Sequence, residues 1–169
     1  MDKTEYWLRG PLPNTPLLLQ PIAHALLQAR MEITDMLNGF PEDKLWIKPL
    51  GMASVGFHLQ HLTGVLDRLF TYAKAEMLTP TQLAYLSAEG DAEQKNITVE
   101  NLLKTFSLQV DAAIAQLNGI DESTLTETRL VGRAKIPSTQ IGLLVHAAEH
   151  TMRHTGQLMV TVKFLESGY

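Results

Sequence analysis

Five of the six histidines lie in two short windows of the chain, and imidazole is the commonest metal ligand among protein side chains. The first window contains His58 and His61, and the second contains His146, His150 and His154. Residues four apart on an α-helix lie ~40° apart around the axis and ~6 Å apart along it. The second window therefore forms one ridge of imidazoles. If two of them bind a metal ion, the first window must supply a third ligand.

The ridge falls within the apolar arc of its predicted helix, beside Leu143, Ala147 and Phe164. Burying neutral imidazoles costs free energy unless their nitrogens find partners, and charging them all would bring like charges together in a low dielectric. A metal ion meets both demands because it binds the imidazole lone pairs directly. The alternative is a polar core in which the rings bond to backbone, water and one another. His24, alone on the first helix, is expected to have no ligand role.

The identity of the third ligand stays open between His58 and His61. On a helical wheel, His58 lies ~60° from the centre of the apolar stripe of its helix and His61 lies ~120° from it. This geometry alone favours His58 as the inward residue.

Two known metal motifs do not fit the chain. His146-Ala-Ala-Glu149-His150 matches the H-x-x-E-H signature of the inverted zinc proteases. Those proteases need a further acidic ligand well downstream, and only a short tail follows His150. Di-iron bundles need Glu-x-x-His pairs, and no Glu or Asp precedes any histidine by three positions. Glu149 itself falls in the polar sector of its helix, which argues against a role as general base.

The composition is that of an ordinary globular protein: 169 residues, 45% hydrophobic and 19% charged. The absence of cysteine excludes a disulfide scaffold, a cysteine-based zinc finger, an iron–sulfur cluster and a cysteine nucleophile. The net charge of -4 argues against a nucleic-acid partner. No apolar run is long enough to span a membrane, and the N-terminus lacks the apolar core of a signal peptide. We therefore expect a cytoplasmic protein.

Four amphipathic segments must position the histidines, and the periodicity predicts helices over 15–37, 54–77, 98–118 and 138–166. Ser54, Thr98 and Ser138 are the expected caps of the last three. The second helix has the clearest apolar stripe, formed by Val55, Leu59, Leu62, Leu66, Leu69 and Ala73.

The connections between these helices contain no strand pattern strong enough to build a sheet, although residues 129–132 resemble a short extended piece. A short helical turn is possible near 82–86, and Trp46 is expected to pack beneath the helices. The fold prediction is therefore all-α, a four-helix bundle with long inter-helix connections. We expect a single domain over residues 1–169, with residues 1–14 as an N-terminal extension.

Several motifs together resemble one family. Ser54-Val-Gly-Phe57 opens the second helix, and His61 follows seven residues after the serine. His146, His150 and His154 are spaced as H-x3-H-x3-H and lead into Thr-Gly-Gln157. With the Pro-Glu-Asp-Lys-Leu-Trp-Ile-Lys-Pro stretch at 41–49, these motifs resemble the DinB-like superfamily of small four-helix proteins, related to the YfiT-type metal-dependent hydrolases. The likeness covers about residues 15–165.

The resemblance implies a divalent metal ion, zinc or nickel, bound by His61, His150 and His154, with His146 lining the pocket. It also implies a metal-dependent enzyme acting on a small-molecule substrate, either a hydrolase or a thiol S-transferase that uses a low-molecular-weight thiol. A borrowed thiol would suit a chain without cysteine. Arg129 and Arg133 are candidates to bind a carboxylate of such a thiol, and are otherwise expected to be solvated loop charges.

The alternative function is a non-enzymatic metal-binding or interaction bundle. A second apolar stripe lies opposite the histidines on the last helix, formed by Ile141, Val145, Ala148, Met152 and Met159. Such a stripe is expected either to pack on neighbouring helices or to form a homodimer face.

Overall fold

The computed structural model describes residues 4–93 and 97–168. Within these residues the chain is mostly helical, as predicted. The helices are α1 (Gln20–Met36), α2 (Val55–Ala73), α3 (Pro80–Ser87), α4 (Val99–Asn118) and α5 (Gln140–Glu166). Two strands, β1 (Thr128–Val131) and β2 (Ile136–Thr139), precede α5. Short 3₁₀ turns occupy Tyr6–Arg9, Leu17–Leu19, Glu42–Lys44, Pro49–Gly51 and Glu122–Thr124.

Side-chain caps begin three of the long helices. The hydroxyl groups of Ser54 and Thr98 accept hydrogen bonds from backbone N–H groups three residues later, which confirms both predicted caps. The cap of α5 is Thr139, whose hydroxyl accepts from the Gly142 N–H, and not the predicted Ser138. Ser138 is instead paired with Arg129 in the strand that leads into the helix.

Two predicted helices are longer than the observed ones. The first begins at Gln20 instead of 15, because Leu17–Leu19 form a 3₁₀ turn that is continuous with it. The second ends at Ala73 instead of 77, because Ala75 adopts a φ of 61° and cannot continue a right-handed helix. The short helical turn considered near 82–86 is present as part of α3, which begins with a capping box between Thr79 and Gln82.

Apolar stripes from the long helices meet in one core. Helix α2 packs against α4 and α5, and α1 packs against the same two helices. Every residue of the predicted α2 stripe is buried. The core also receives Leu45 and part of Trp46 from the connection before α2. The Trp46 ring lies against Gly56, where an added Cβ would come within 2.7 Å of it, so the expected packing of this tryptophan is confirmed.

The expectation that no sheet would form is wrong, because β1 and β2 pair as an antiparallel hairpin. The sequence signal was weak for physical reasons: each strand has four residues, most of them exposed or half-buried, and Pro137 interrupts the second. Arg129 anchors this hairpin to the helices. Its Nε–H donates to the carbonyl oxygen of Ala73, the last residue of α2, at 2.9 Å.

None of the helices in the described part of the chain is long and apolar enough to cross a lipid bilayer.

Candidate metal centre

The packing of α2 against α5 brings His61, His150 and His154 into one cluster, called here the three-histidine cluster. One ring nitrogen from each side chain can be chosen so that all three lie within 4.8 Å of one another. The shortest separation, 3.0 Å, joins the Nε2 atoms of His61 and His150. His61 lies between two buried residues of α2, Gln60 and Leu62. Its ring is half-buried and reaches the cluster on the side of α2 that borders α5.

The other three histidines have different surroundings. His58 is buried, and its Nδ1 atom lies 3.1 Å from Nδ1 of His154, so it borders the cluster through one ligand candidate. His146 has a half-exposed side chain, 3.5 Å from a carboxylate oxygen of Glu149. His24 bonds through Nε2 to the carbonyl oxygen of Gly10 at 3.1 Å, far along the chain from either window. The helical wheel was right that His58 is inward, yet the half-buried His61 reaches both α5 rings.

A carboxylate that sequence reasoning missed lies directly behind His61. Oε2 of Glu89 is 2.8 Å from His61 Nδ1, and Oε1 of the same carboxylate accepts from Arg68 Nη1 at 2.6 Å. Glu89 and Arg68 are both nearly buried. No spacing rule links Glu89 to His61, because it follows α3 in an irregular segment. The only available signal was Glu89-Gly90 at the end of a helix, which is too common to interpret.

The environment keeps the neighbouring imidazoles neutral. Burial, reinforced by the His154 and His61 rings, lowers the pKa of His58 to about 4. Burial is also the main cause that lowers the pKa of His150 to about 4, with further contributions from the surrounding rings and Arg153. The pKa of His154 is lowered in the same way. At neutral pH these rings therefore offer lone pairs, which is the form that binds metal ions.

The hydrogen bonds of the cluster suit a cation. A carboxylate ion-paired with Arg68 accepts but does not donate, so the contact with Glu89 places the His61 proton on Nδ1 and a lone pair on Nε2. Nδ1 of His150 is buried without a partner among the described residues. Two nitrogens bound to one zinc ion at ~2.1 Å lie ~3.4 Å apart in tetrahedral geometry, close to the 3.0 Å separation of the two Nε2 atoms. These three side chains fit a divalent metal ion.

Three other residues considered from the sequence do not join the cluster. Glu149 is half-exposed and paired with Arg153 on the outer side of α5, so it does not contact His61 or His154. Arg129 is buried and uses its donors on Ala73, Thr128 and Glu127, so it is neither a solvated loop charge nor available to a ligand. Arg133 is exposed in the turn between the strands.

A cavity of about 400 Å³ lies beside His58, the residue that contacts His154 of the cluster. No charged side chain from the described part of the chain lines it. Its walls come from the segment before α2, from α2 and from α5, and consist of Met52, Ala53, His58, Gln157, Val160 and Thr161. The volume is within the range of small-molecule sites in proteins.

The fold and the cluster together define a class: a small helical protein with a nitrogen-rich, three-histidine candidate metal centre supported by a buried carboxylate. A family model for the DinB superfamily matches residues 25–158, and the chain belongs to that superfamily. None of the curated proteins matches the chain significantly.

Two crystal structures are similar to the chain in fold. A conserved protein from Enterococcus faecalis is 19% identical, with a TM-score of 0.61, and the match covers 86% of this chain and 95% of that one. A structural-genomics structure from Streptococcus pneumoniae is 12% identical, with a TM-score of 0.63, and the match covers 86% of this chain and 88% of that one. At these identities the likeness concerns the fold alone.

Proposed function

We propose that this protein is a metal-dependent enzyme of thiol S-transferase or hydrolase type, with a zinc or nickel ion held by His61, His150 and His154. In this proposal residues 1–169 form one domain, and its four long helices act as a four-helix bundle that carries the site. The observation that carries the proposal is the convergence of three imidazoles from two helices, with the Nε2 atoms of His61 and His150 3.0 Å apart.

Three protein ligands favour a catalytic site over a structural one. Structural zinc sites usually close with four protein ligands, whereas catalytic sites keep a position for water or substrate. A bound divalent ion with neutral ligands supplies a positive charge that lowers the pKa of an adjacent water or thiol toward neutrality. The role of the chain is to hold three neutral rings in place. Glu89 orients His61, and the buried His58 contacts Nδ1 of His154.

The cavity beside His58 is the proposed substrate pocket. Because none of the described residues that line it is charged, it suits an uncharged and largely apolar small molecule. Gln157 and Thr161 offer an amide and a hydroxyl group in the same wall. A thiol cofactor would supply the thiol group that the chain lacks, since the chain has no cysteine.

The test measures metal content and turnover on the same untagged protein. Elemental analysis is expected to find about one zinc or nickel ion per chain after purification without chelators. The reloaded protein is then assayed with a low-molecular-weight thiol plus a generic electrophile, and separately with an ester substrate. Metal binding without turnover in either assay would support a non-enzymatic metal-binding protein instead. A metal-free protein that takes up no added zinc or nickel would contradict the proposal.

A second candidate function, a homodimeric interaction module, is favoured by the outer face of α5. Val145 and Met159 are both well exposed there, although Ala148 of the same stripe is buried against the chain itself. Sedimentation at micromolar concentration distinguishes the possibilities. A dimer that the substitution Val145→Glu dissociates would support this function, and a monomeric wild-type protein would exclude it.

A further inference from the structure

Among the described residues, the buried pair of Arg68 and Glu89 is hydrogen-bonded internally and to His61. Oε1 of Glu89 accepts from Arg68, and Oε2 faces Nδ1 of His61 at 2.8 Å. A buried ion pair costs desolvation free energy and is weak evidence for a stabilising role. A carboxylate on the outer nitrogen of a metal-binding histidine, by contrast, sets its tautomer and its ring orientation.

The backbone around Glu89 is held onto α2 at the residue before His61. The Gly90 N–H donates to the side-chain oxygen of Gln60 at 2.7 Å, and the Tyr85 hydroxyl donates to the Gln60 carbonyl oxygen at 3.1 Å. Gly90 has a φ of 87°, which a glycine adopts without strain. Hydrogen bonds to Gln60 therefore hold the chain on both sides of Glu89. The Glu89 carboxylate has little freedom to move away from His61.

Helix α2 makes room for the same pair. A Cβ on Gly64 would lie 2.6 Å from Arg68 Nη1 and 2.8 Å from the Tyr85 ring, and it would also overlap Glu89 Oε1. Any residue larger than glycine here would displace the carboxylate or the guanidinium. Gly64, one turn after His61, is thus part of the same arrangement.

We propose that Glu89 is a positioning residue for the metal centre: Arg68 holds its carboxylate in the space beside Gly64, and the carboxylate fixes the proton of His61 on Nδ1 so that Nε2 faces the cluster. This role of Glu89 deepens the proposed function. Of the two measurements that test it, only that of metal affinity rests on the proposed function. Removing a carboxylate of this kind typically weakens metal binding ~10- to 100-fold.

The first variant, Glu89→Gln, makes a specific prediction. Arg68 still requires an acceptor, so the amide oxygen turns toward Arg68 and the amide N–H groups turn toward His61. His61 Nδ1 must then accept, and the proton moves to Nε2, where it blocks the lone pair. We expect zinc affinity, measured by competition with a chromophoric chelator, to fall ~10- to 100-fold. In metal-free protein, ¹⁵N NMR of the imidazole should show His61 change from the Nδ1–H to the Nε2–H tautomer.

Two further variants separate positioning from folding. Gly64→Ala should displace the pair and weaken zinc binding while the helical circular dichroism is retained, because the two nearest atoms belong to the flexible ends of Glu89 and Arg68, with the Tyr85 ring shifting as well. Ser87→Ala is the matched control: its exposed hydroxyl donates to the Leu83 carbonyl oxygen within α3, so zinc affinity should stay within about twofold of wild type.

The outcomes distinguish this inference from the proposed function. Wild-type zinc affinity and an unchanged Nδ1–H tautomer in Glu89→Gln would overturn the inference. If the wild-type protein binds neither zinc nor nickel, the proposed function fails, and the tautomer of His61 in the metal-free protein decides the role of Glu89 alone: a switch in Glu89→Gln supports it and no switch rejects it.

Discussion

The Nε2 atoms of His61 and His150 lie 3.0 Å apart across the contact between α2 and α5, although the two residues are 89 positions apart in the chain. Glu89 holds the proton of His61 on Nδ1, so Nε2 of His61 presents a lone pair toward His150. Either His150 donates a proton into this contact, or a cation lies between two lone pairs. The convergence of a third ring, that of His154, favours the second arrangement, because a cation binds several lone pairs at once whereas a hydrogen bond uses one.

The first prediction concerns metal stoichiometry. The variant His150→Ala removes one of three nitrogens and should lose stoichiometric zinc or nickel, whereas its helical circular dichroism should remain, because the ring is only partly buried. His146→Ala is the control, since its side chain is half-exposed and contacts Glu149. Elemental analysis checks both variants. Full metal occupancy in His150→Ala would contradict the assignment of this ligand.

The second prediction compares two helical glycines. Gly56→Ala should destabilise the protein by about 1–3 kcal/mol, because the new Cβ would come within 2.7 Å of the rigid Trp46 ring. Gly156→Ala should stabilise it by about 0.5–1 kcal/mol, because open space surrounds that position and alanine lowers the entropy cost of helix formation. Urea unfolding measures both changes. Equal effects of the two substitutions would show that Trp46 does not pack as described.

The apolar periodicity was sufficient to predict the helices because burial of one face repeats along each of them. Val55, Leu59 and Leu62 could be assigned to the core without knowing what packs on them, and all three are buried. The caps Ser54 and Thr98 could be predicted for a similar reason, because an N-cap side chain bonds to backbone N–H groups within one turn of the helix. The clustering of His150 and His154 also follows from helical spacing alone.

The parts that could not be predicted depend on contacts between distant segments. His61 was favoured over His58 by a resemblance, not by its angle on the helix, and only the packing of α2 on α5 brings its ring to His150. Glu89 lies 28 positions from His61 in an irregular segment, so no period connects them. Arg129 was expected to be a solvated loop charge, yet its side chain donates to the Ala73 carbonyl oxygen at the C-terminal end of α2. That contact depends on where the β1–β2 hairpin folds back.

The third prediction tests that role of Arg129. Arg129→Met removes the donors to the Ala73 and Thr128 carbonyl oxygens and should lower the free energy of unfolding by about 1–3 kcal/mol. Arg133→Met, at an exposed position of the same hairpin, should change it by no more than about 0.5 kcal/mol. Urea unfolding measures stability, and elemental analysis should find metal content unchanged in both variants. A loss of metal in Arg129→Met would mean that the hairpin also supports the three-histidine cluster.

The last prediction concerns pH. The pKa of His58 is lowered to about 4 in the folded protein, so between that value and the ordinary pKa near 6.5 the unfolded state binds a proton that the folded state does not. The part of the free energy of unfolding that depends on a neutral His58 is therefore fully present in the metal-free protein above about pH 6.5. It is lost as the pH falls toward about 4. His150 acts in the same direction, since its pKa is also lowered to about 4.

The measurement is urea unfolding of chelator-treated protein at several pH values between about 7 and about 4.5, for wild type and for His58→Gln. The glutamine keeps a polar side chain next to His154 but does not titrate, so the loss of stability on acidification should be smaller in the variant. Carboxylates titrate alike in the two proteins and cancel in the comparison. If both proteins lose stability equally, the pKa of His58 is the same in the folded and unfolded states, and burial does not hold its ring neutral.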